Sequence, residues 1–359
     1  MKILIINQHK DDFLGGSEVQ CDIIAKYLKK FGHEVVYYAV NAQKKNYQVP
    51  YNVFPAKNLN TFSFFNNVKK IDPEIIYWRL DRRNLFLSAL VANFFKIKFV
   101  FSVAHIKNLQ VFSFKRGVSS LHDLVKIIAS NIKRFFGAIN YLGLRFVDGA
   151  VVNNNDFKKL IPSYINRKIT VRNSIELTLC QNQFKWSKPF ILWVANIKKT
   201  KNPEKYIKLA RRFEASSVDF LMVGAIQAQK YEKILADDNL PDNFYYLGPK
   251  SFSEVNSMLK KSLFLAHTCS PEGFPNIFIQ AWLAGKPTVT LHFDPEGVIE
   301  QKNIGYYSKN FNKFTDDVGL LLEDSQKRRK MGEKARVFAQ KSFNPEVNIK
   351  KLETFLKKI

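Results

Sequence analysis

MKILIINQHKDDFLGGSEVQCDIIAKYLKKFGHEVVYYAV, residues 1–40, contains the pattern that decides the fold. Its first seven residues form a short apolar run typical of a buried strand, and a loop with a glycine pair follows. Residues 18–31 place apolar side chains at helical spacing, and a glycine ends that helix. Residues 33–40 are β-branched and aromatic, which predicts a second strand. A strand, a helix and a strand in this order form the βαβ unit of a doubly wound parallel sheet.

The same alternation continues to about residue 178 and predicts one Rossmann-like α/β domain over residues 1–178. The further elements predicted in it are strands at 74–78, 98–104 and 149–153, a helix at 84–95 and a long helical stretch near 121–146.

A second α/β series begins after a plausible linker near 175–188, where the periodicity lapses. It predicts another Rossmann-like domain over residues 179–342, with Asn202 as the N-cap of a helix that starts at Pro203. We expect the two domains to face a deep cleft, and a last helix in 343–359 to pack back on the first domain. The predicted strands are 190–195, 218–223, 243–247, 262–266 and 287–291, and the predicted helices are 203–213, 253–260, 276–284 and a region from 325 onward.

Composition narrows the class of protein. With 359 residues and 46% hydrophobic content the chain can form two cores, which excludes a collagen, a coiled coil or a wholly disordered protein. The charge-free stretch at 84–95 is too short for a membrane-spanning helix, and the first residues resemble a strand rather than a signal peptide. Cys21, Cys180 and Cys269 have no spacing typical of a zinc site or a disulfide scaffold. We therefore expect reduced thiols and a cytoplasmic protein.

The net charge of +25 indicates an anionic partner, either nucleic acid, lipid head groups or a phosphorylated substrate. Residues 94–147 hold nine basic residues and one acidic residue, interleaved with phenylalanines. Such a segment suits an anionic membrane surface, and an ordinary core with a solvated lysine face explains it equally well.

Gly15 and Gly16 let the backbone approach a ligand closely, and the helix N-terminus after them favours an anion. Turns use glycine for other reasons as well, so the pair gains weight only from further motifs.

The strongest motif is SPEGFPNIFIQAWLAGKP, residues 270–287, which starts as a turn after a strand and continues into a helix. It resembles the motif of family 4 retaining glycosyltransferases, in which two glutamates are separated by seven residues. The glycine pair, Gly32-His33-Glu34-Val35 and the stretch 171–175 also resemble that family, so the likeness covers nearly the whole chain. The resemblance implies the GT-B fold, with a nucleoside diphosphate sugar bound to the second domain.

The resemblance also assigns roles to the motif. Glu272 would bond hydroxyls of the donor sugar, and the backbone from Gly273 through Phe274, Pro275, Asn276 and Ile277 would meet sugar and phosphate. Gln280 replaces the second glutamate, which bonds the nucleotide ribose. Its carbonyl can still accept a hydroxyl proton, but it lacks the stronger charge-assisted bond of a carboxylate.

The stretch 193–203 resembles the family's segment with an arginine and a lysine that neutralise the departing diphosphate. Lys201 fits the lysine, whereas Asn196 stands at the arginine position. A fixed charge at such a place contributes strongly to rate, so Lys198 or Lys199 would have to compensate unless they are solvated loop residues.

His105 follows a predicted strand, at the edge of the sheet where ligands bind in open α/β folds. It resembles the family's histidine near the anomeric carbon of the donor. Arg79, Arg82 and Arg83 follow another strand end and suit an acceptor phosphate or a solvated surface. No histidine spacing indicates a metal site, and we expect no cofactor.

Together these features predict a retaining, metal-independent transferase of hexose-type sugars from a UDP or GDP donor to a glycan or lipid-linked acceptor. We expect it to serve bacterial-type cell-surface polysaccharide synthesis, peripherally at the cytoplasmic face of an anionic membrane, without a nucleic-acid partner. Because of Asn196 and Gln280, a non-catalytic relative that binds nucleotide sugar or glycan stays an alternative. Nucleic-acid binding is a third hypothesis that lacks a recognised motif.

Overall fold

A computed structural model describes residues 1–13, 15–80, 82, 84–103, 108, 109, 135, 137–176 and 184–359. The chain forms two units, one of Met1–Asn173 with Pro345–Ile359 and one of Ser174–Asn344. The sequence analysis placed the corresponding boundaries at 178 and 342.

Unit 1 is built on a seven-stranded parallel sheet with the order β3-β2-β1-β4-β5-β6-β7. Its strands are β1 (Lys2–Asn7), β2 (Glu34–Val40), β3 (Asn52–Ala56), β4 (Ile75–Trp78), β5 (Lys98–Val103), β6 (Gly149–Val152) and β7 (Lys168–Thr170). Its helices up to this point are α1 (Gly16–Lys30), α2 (Thr61–Ile71), α3 (Leu85–Phe94) and α4 (Asn155–Leu160), with a 3-10 turn at Gly143–Phe146.

Unit 2 is built on a six-stranded parallel sheet with the order β10-β9-β8-β11-β12-β13. Its strands are β8 (Phe190–Val194), β9 (Asp219–Val223), β10 (Phe244–Tyr246), β11 (Leu265–His267), β12 (Thr288–Thr290) and β13 (Gly305–Tyr307). Its helices are α5 (Pro203–Arg212), α6 (Lys230–Leu235), α7 (Phe252–Lys261), α8 (Asn276–Leu283), α9 (Val298–Gln301), α10 (Phe311–Glu323) and α11 (Ser325–Ser342), with 3-10 turns at Lys199–Lys201 and Pro295–Gly297.

The last helix, α12 (Pro345–Leu356), belongs to unit 1 and packs on α1. Its buried Glu353 lies 3.0 Å from Nε2 of His33 and contacts Lys350 and Lys357 at 2.7 and 2.6 Å. The chain therefore returns to its first unit at the end, and the contact between Glu353 and His33 links the last helix to the rest of that unit.

Both faces of each sheet are covered by apolar cores, which is why the central strands are continuous hydrophobic runs. In β1, Leu4 and Ile6 face the core that holds α2 and α3, whereas Ile3 and Ile5 face the core that holds α1 and α12. The strands of unit 2 are likewise packed between two cores. The predicted α/β class and the GT-B architecture of two parallel-sheet domains are confirmed.

Several elements were missed in the sequence, and β3 shows why. It is an edge strand that contains Pro55, and an edge position tolerates a residue without a backbone N–H. Of the predicted helix at 121–146, residues 121–134 and 136 lie outside the described residues, whereas 137–142 are helical and Gly143–Phe146 form a 3-10 turn. In the part of the chain that is described, no helix is both long and apolar enough to cross a membrane.

Candidate functional site

The carboxyl end of β8 begins the candidate site in unit 2. Asn196 follows this buried strand, and the 3-10 turn Lys199–Lys201 leads into α5. Gly224, after β9, has φ of +151° and lies against Ala195, where an added Cβ would come within 1.8 Å of the carbonyl oxygen. Only glycine lets the two strand ends approach so closely, and this approach fixes where Asn196 lies.

Thr268, just after β11, anchors the turn that carries Lys201. Its hydroxyl accepts a hydrogen bond from Nε1 of Trp193 at 2.9 Å and donates to the carbonyl of Lys201 at 2.8 Å. The backbone N–H of Ser270 donates to the carbonyl of Thr200 at 2.9 Å. The ends of β8 and β11 are therefore tied together, and Lys201 is held between them.

Asn202 is the N-cap residue of α5, as predicted, but its side chain does not cap the helix. Its backbone is left-handed, with φ of 48°, and its side chain makes no capping bond to the helix. The amide donates instead to the carbonyl of Thr268 at 2.9 Å. Asparagine serves here as a tie between two strand ends, because its short amide reaches a neighbouring backbone and tolerates the left-handed region.

Lys201, His267, Cys269 and Glu272 form what we call the Lys201 cluster. Nζ of Lys201 lies 2.6 Å from Oε2 of Glu272, and Nε2 of His267 lies 3.6 Å from Oε1 of the same carboxylate. The side chains of Lys201 and Glu272 are 17% and 25% exposed, whereas His267 is buried. The carboxylate thus has a cation on its accessible side and an imidazole on its buried side.

The electrostatics of the cluster keep the Lys201–Glu272 pair charged. Burial by itself would raise the pKa of Glu272, but His267 and the charge of Lys201 outweigh burial and hold the pKa at about 2. Burial would lower the pKa of Lys201, but Cys269 and Glu272 raise it above its usual value. Burial lowers the pKa of His267, which is therefore neutral near pH 7. One cation and one anion remain at neutral pH.

The side chains of His267, Cys269 and Glu272 present possible metal-ligand atoms within 4.8 Å of one another. Burial raises the pKa of the Cys269 thiol to about 12, and Glu272 is already neutralised by Lys201. A cation would have to displace both a thiol proton and an ammonium group, so the cluster fits an ion pair better than a metal.

The motif after Glu272 leads into α8, whose N-cap is Pro275. Proline has no side-chain donor or acceptor, and no side chain of the cap residue bonds the first turn of α8. Phe274 is buried against Trp282 and Phe343, so any ligand contact of Phe274 has to come from its backbone. Pro275 lacks the N–H that an anion needs, which leaves the backbone N–H groups of Gly273, Phe274, Asn276 and Ile277 as candidate donors.

Gln280 is buried on α8, and its Nε2 donates to Oδ1 of Asn256 on α7 at 2.8 Å. The two side chains line a small pocket together with Ile175, Glu176, Lys260, Leu283 and Ala284. Since the amide nitrogen is engaged, the carbonyl of Gln280 is the group that can accept a ligand proton.

Lys205, in the first turn of α5, was not singled out in the sequence. Its Nζ lies 2.7 Å from Nε2 of His292, which follows β12. Burial, Lys205 and His267 all lower the pKa of His292, so the imidazole accepts the bond in its neutral form. A cation at a helix N-terminus opposes the helix dipole, and a neutral partner does not balance it. Lys198 is half-buried and Lys199 is exposed.

Gly15 and Gly16 lie in unit 1, at the start of α1. The Glu18 carboxylate folds back over this start, and a Cβ on Gly15 would lie 2.2 Å from its Oε2. Burial raises the pKa of Glu18, against a backbone hydrogen bond and the charge of Arg79. The chain's own carboxylate therefore occupies the space beside Gly15, and a side chain at this position would require Glu18 to move.

Some predicted features fall outside the described residues. These are His105, Arg83, Cys180 and most of the basic segment 94–147. Cys21 and Cys269 are buried free thiols.

The residues that sequence reasoning missed are His267, Thr268, Lys205, His292 and Asn256. Their partners lie 5 to 87 residues away in the sequence. One signal was available, since His267, Thr268 and His292 all follow or end strands on the edge where ligands bind.

Three comparisons show which known proteins the chain resembles. Residues 178–338 match the family described as Glycosyl transferases group 1. An uncharacterized glycosyltransferase of Methanocaldococcus jannaschii is 22% identical over 403 residues, covering 100% of this chain and 99% of that protein.

Among solved structures, sucrose-phosphate synthase from Thermosynechococcus elongatus has a TM-score of 0.75 at 13% identity, covering 100% of this chain and 98% of that one. Anabaena HepE, solved in complex with UDP and glucose, has a TM-score of 0.72 at 16% identity, with 100% of both chains covered. These structural likenesses show a shared fold.

Proposed function

We propose that this chain is a retaining glycosyltransferase, on the basis of the match of residues 178–338 to the family described as Glycosyl transferases group 1. It moves a hexose-type sugar from a nucleoside diphosphate donor to a hydroxyl group of a glycan or lipid-linked acceptor. UDP or GDP is the nucleotide of the donor, and the structurally similar HepE was solved with UDP and glucose.

The observation that carries the proposal is the Lys201–Glu272 pair at the carboxyl ends of β8 and β11. Ligands of open parallel α/β sheets bind outside the carboxyl ends of the strands. Lys201 is fixed through Thr268, so its ammonium group is preorganised for a diphosphate, and Glu272 is held ionised for sugar hydroxyls. Both requirements of a nucleotide sugar are thus met within one cluster.

The proposed reaction needs no nucleophile from the protein and no metal. The acceptor oxygen attacks the anomeric carbon on the face that the diphosphate leaves, and the bond from that carbon to the diphosphate oxygen breaks. The departing diphosphate takes the proton of the acceptor hydroxyl. Lys201 and the backbone N–H groups of Gly273, Asn276 and Ile277 stabilise its charge.

The two departures from the family motif have local substitutes. Gln280, oriented by Asn256, offers its carbonyl to the ribose hydroxyls. At the diphosphate, where Asn196 replaces an arginine, Lys205 supplies the second positive charge because its partner His292 is neutral. On this proposal the substitutions weaken but do not abolish donor binding.

We also propose that unit 1 binds the acceptor and that the protein acts peripherally at the cytoplasmic face of an anionic membrane, in cell-surface polysaccharide synthesis. The net charge of +25 supports attraction to such a surface. His105 keeps its proposed place near the anomeric carbon as a further candidate.

The decisive assay follows nucleoside diphosphate release from UDP-sugars and GDP-sugars, with NMR of the product to read the anomeric configuration. We expect release from at least one donor, an α-linked product from an α-linked donor, and loss of release in Lys201→Ala. Inversion of the anomeric configuration would contradict the retaining mechanism. Lys199→Ala, an exposed neighbour on the same turn, is the matched control and should keep full activity.

A non-catalytic relative that binds nucleotide sugar or glycan is the second candidate, because Asn196 and Gln280 both depart from the family motif. The Asn196→Arg and Gln280→Glu double variant distinguishes the two functions. A gain from almost no turnover to strong turnover would favour the non-catalytic relative, whereas a modest change in an already active protein supports the transferase.

A further inference from the structure

A buried arginine lies at the carboxyl edge of the unit 1 sheet, in what we call the Arg79 cluster of Arg79, Ser102 and Asn173. Arg79 directly follows β4 and is only 6% exposed. Its Nη1 donates to Oγ of Ser102 in β5 at 3.3 Å, and its Nη2 donates to Oδ1 of Asn173, beyond β7, at 3.2 Å. The guanidinium group therefore spans the ends of several neighbouring strands.

This guanidinium has no ion-pair partner in the part of the chain that the structure describes. No ion pair among the described residues includes Arg79, and its Nε is buried with no hydrogen-bond partner there. Glu18 acts on it electrostatically, but the Glu18 carboxylate lies against Gly15. Arginine stays protonated in proteins, so the charge cannot be removed by loss of a proton.

Two buried carboxylates among the described residues do have opposite charges beside them. The carboxylate of Asp22 contacts Lys10 and Lys26 at 3.2 and 3.0 Å, and Glu353 contacts two lysines. A buried charge without an opposite charge destabilises a fold. Ser102 and Asn173 are neutral acceptors that a neutral amide could also satisfy, so they do not explain why a guanidinium is used.

The guanidinium has the geometry for a two-oxygen anion. Its planar donors match a carboxylate or phosphate, and a free Nε together with a terminal nitrogen forms one side of the donor fork. The cluster also lies at the strand ends where ligands of parallel sheets bind. A structural hydrogen bond needs none of these properties.

We propose that the Arg79 cluster is an anion-binding subsite that takes a phosphate or carboxylate group of the sugar acceptor. The inference rests on the proposed function, in which unit 1 binds the acceptor, and it names the chemical class of that acceptor. The acceptor is a phosphorylated or acidic saccharide.

The test starts from Lys201→Ala, which removes the other anion site. We compare thermal unfolding in inorganic phosphate, in malonate and in chloride of equal ionic strength. Phosphate or malonate should raise the unfolding midpoint of Lys201→Ala by about 2–4 °C at saturating concentration. The better of the two anions identifies the source as a phosphate or a carboxylate.

Adding Arg79→Gln should abolish this rise, whereas Arg167→Gln, at an exposed arginine of the same unit, should keep it. Arg79→Lys keeps the positive charge but loses the paired planar donors. The same rise of its unfolding midpoint should therefore require at least about tenfold more anion. If Arg79→Gln does not fold, the anion titration of Arg79→Lys tests the subsite in its place. An equal rise in all variants, or no rise with either anion in Lys201→Ala, overturns the proposal.

A second assay separates this inference from the proposed function. Arg79→Gln should keep donor hydrolysis by water and lose transfer to phosphorylated or acidic sugars. Unchanged transfer to such acceptors would contradict the subsite. Donor hydrolysis that does not depend on Lys201 would contradict the transferase site while leaving the anion result in unit 1 intact.

Discussion

The carboxyl edges of the two parallel sheets differ in how they balance a cation that is shielded from water. In unit 2, Lys201 lies 2.6 Å from the Glu272 carboxylate, and both groups are held by the ends of β8 and β11. In unit 1, Arg79 forms no ion pair among the described residues and donates to the neutral oxygens of Ser102 and Asn173. The same architecture therefore carries an ion pair at one edge and, at the other, a guanidinium that has no ion pair with any described residue.

This difference indicates two kinds of binding edge. A balanced pair offers both a cation for phosphate and an anion for hydroxyl groups, which suits a whole nucleotide sugar. An unbalanced guanidinium offers only positive charge and suits a single anionic group. Without its ligand, a buried guanidinium of this kind lowers the stability of the fold. Functional sites commonly carry such a loss of stability.

The largest effect should come from removing the cation of the balanced edge. Lys201→Ala should lower donor turnover by about 10²–10³-fold, because a preorganised charge at the leaving diphosphate is lost. Nucleoside diphosphate release measures the change, with Lys199→Ala as control. Equal rates in the two variants would show that the Lys201 ammonium group does not assist departure of the diphosphate.

Removing the anion of the same pair should affect stability with a defined pH dependence. The pKa of Glu272 is about 2, below its usual value of 4.5, so the ionised carboxylate stabilises the fold. That contribution is complete above about pH 4.5 and is lost as the pH falls towards 2.

Glu272→Gln should therefore lower the free energy of unfolding by about 1–3 kcal/mol at pH 7, and the deficit should shrink as the pH falls below 4.5. Urea unfolding at pH 7 and pH 3 measures both values. A deficit that is the same at both pH values would show that the carboxylate's charge is not what stabilises the cluster.

The second cation proposed for unit 2 should have a smaller effect. Lys205→Ala should lower donor turnover by about 3–10-fold, since Lys201 still neutralises part of the diphosphate charge. Lys208→Ala, on the exposed part of the same helix, is the control. If Lys205→Ala matches the control, Lys205 does not supply the charge of the family's arginine, which is Asn196 in this chain.

The smallest effect is expected where the charge is unbalanced. Without phosphate or carboxylate in the buffer, Arg79→Gln should change the free energy of unfolding by less than about 1 kcal/mol, because the lost hydrogen bonds are offset by removal of a buried charge. Chemical denaturation in a chloride buffer measures this. A loss of several kcal/mol would mean that Arg79 stabilises the fold and would indicate a structural role instead of a binding role.

The sequence reveals the elements whose pattern is local. The strand and helix of residues 1–30 were predicted because buried strands and 3.6-residue periodicity are visible in short windows. Lys201 and Glu272 were also accessible, because they lie in motifs that resemble a known family.

Other features depend on distant parts of the chain and could not be predicted. Asn202 has the residue type and position of a helix cap, but a carbonyl 66 residues away takes its amide. The burial of Arg79 depends on Ser102 and Asn173, which are 23 and 94 residues away. A local pattern cannot distinguish this arginine from a solvated one, because only the assembled sheet places these groups together.

Thermal unfolding of the protein with a panel of UDP, GDP, ADP and CMP tests directly whether the Lys201 cluster binds the nucleotide of the donor. A nucleotide at about a hundred times its dissociation constant adds about 2.7 kcal/mol to the stability of the unit that binds it. We predict an upward shift with UDP or GDP that disappears in Lys201→Ala and persists in Lys199→Ala. No shift with any nucleotide, or a shift that Lys201→Ala leaves unchanged, would contradict a donor site at the Lys201 cluster.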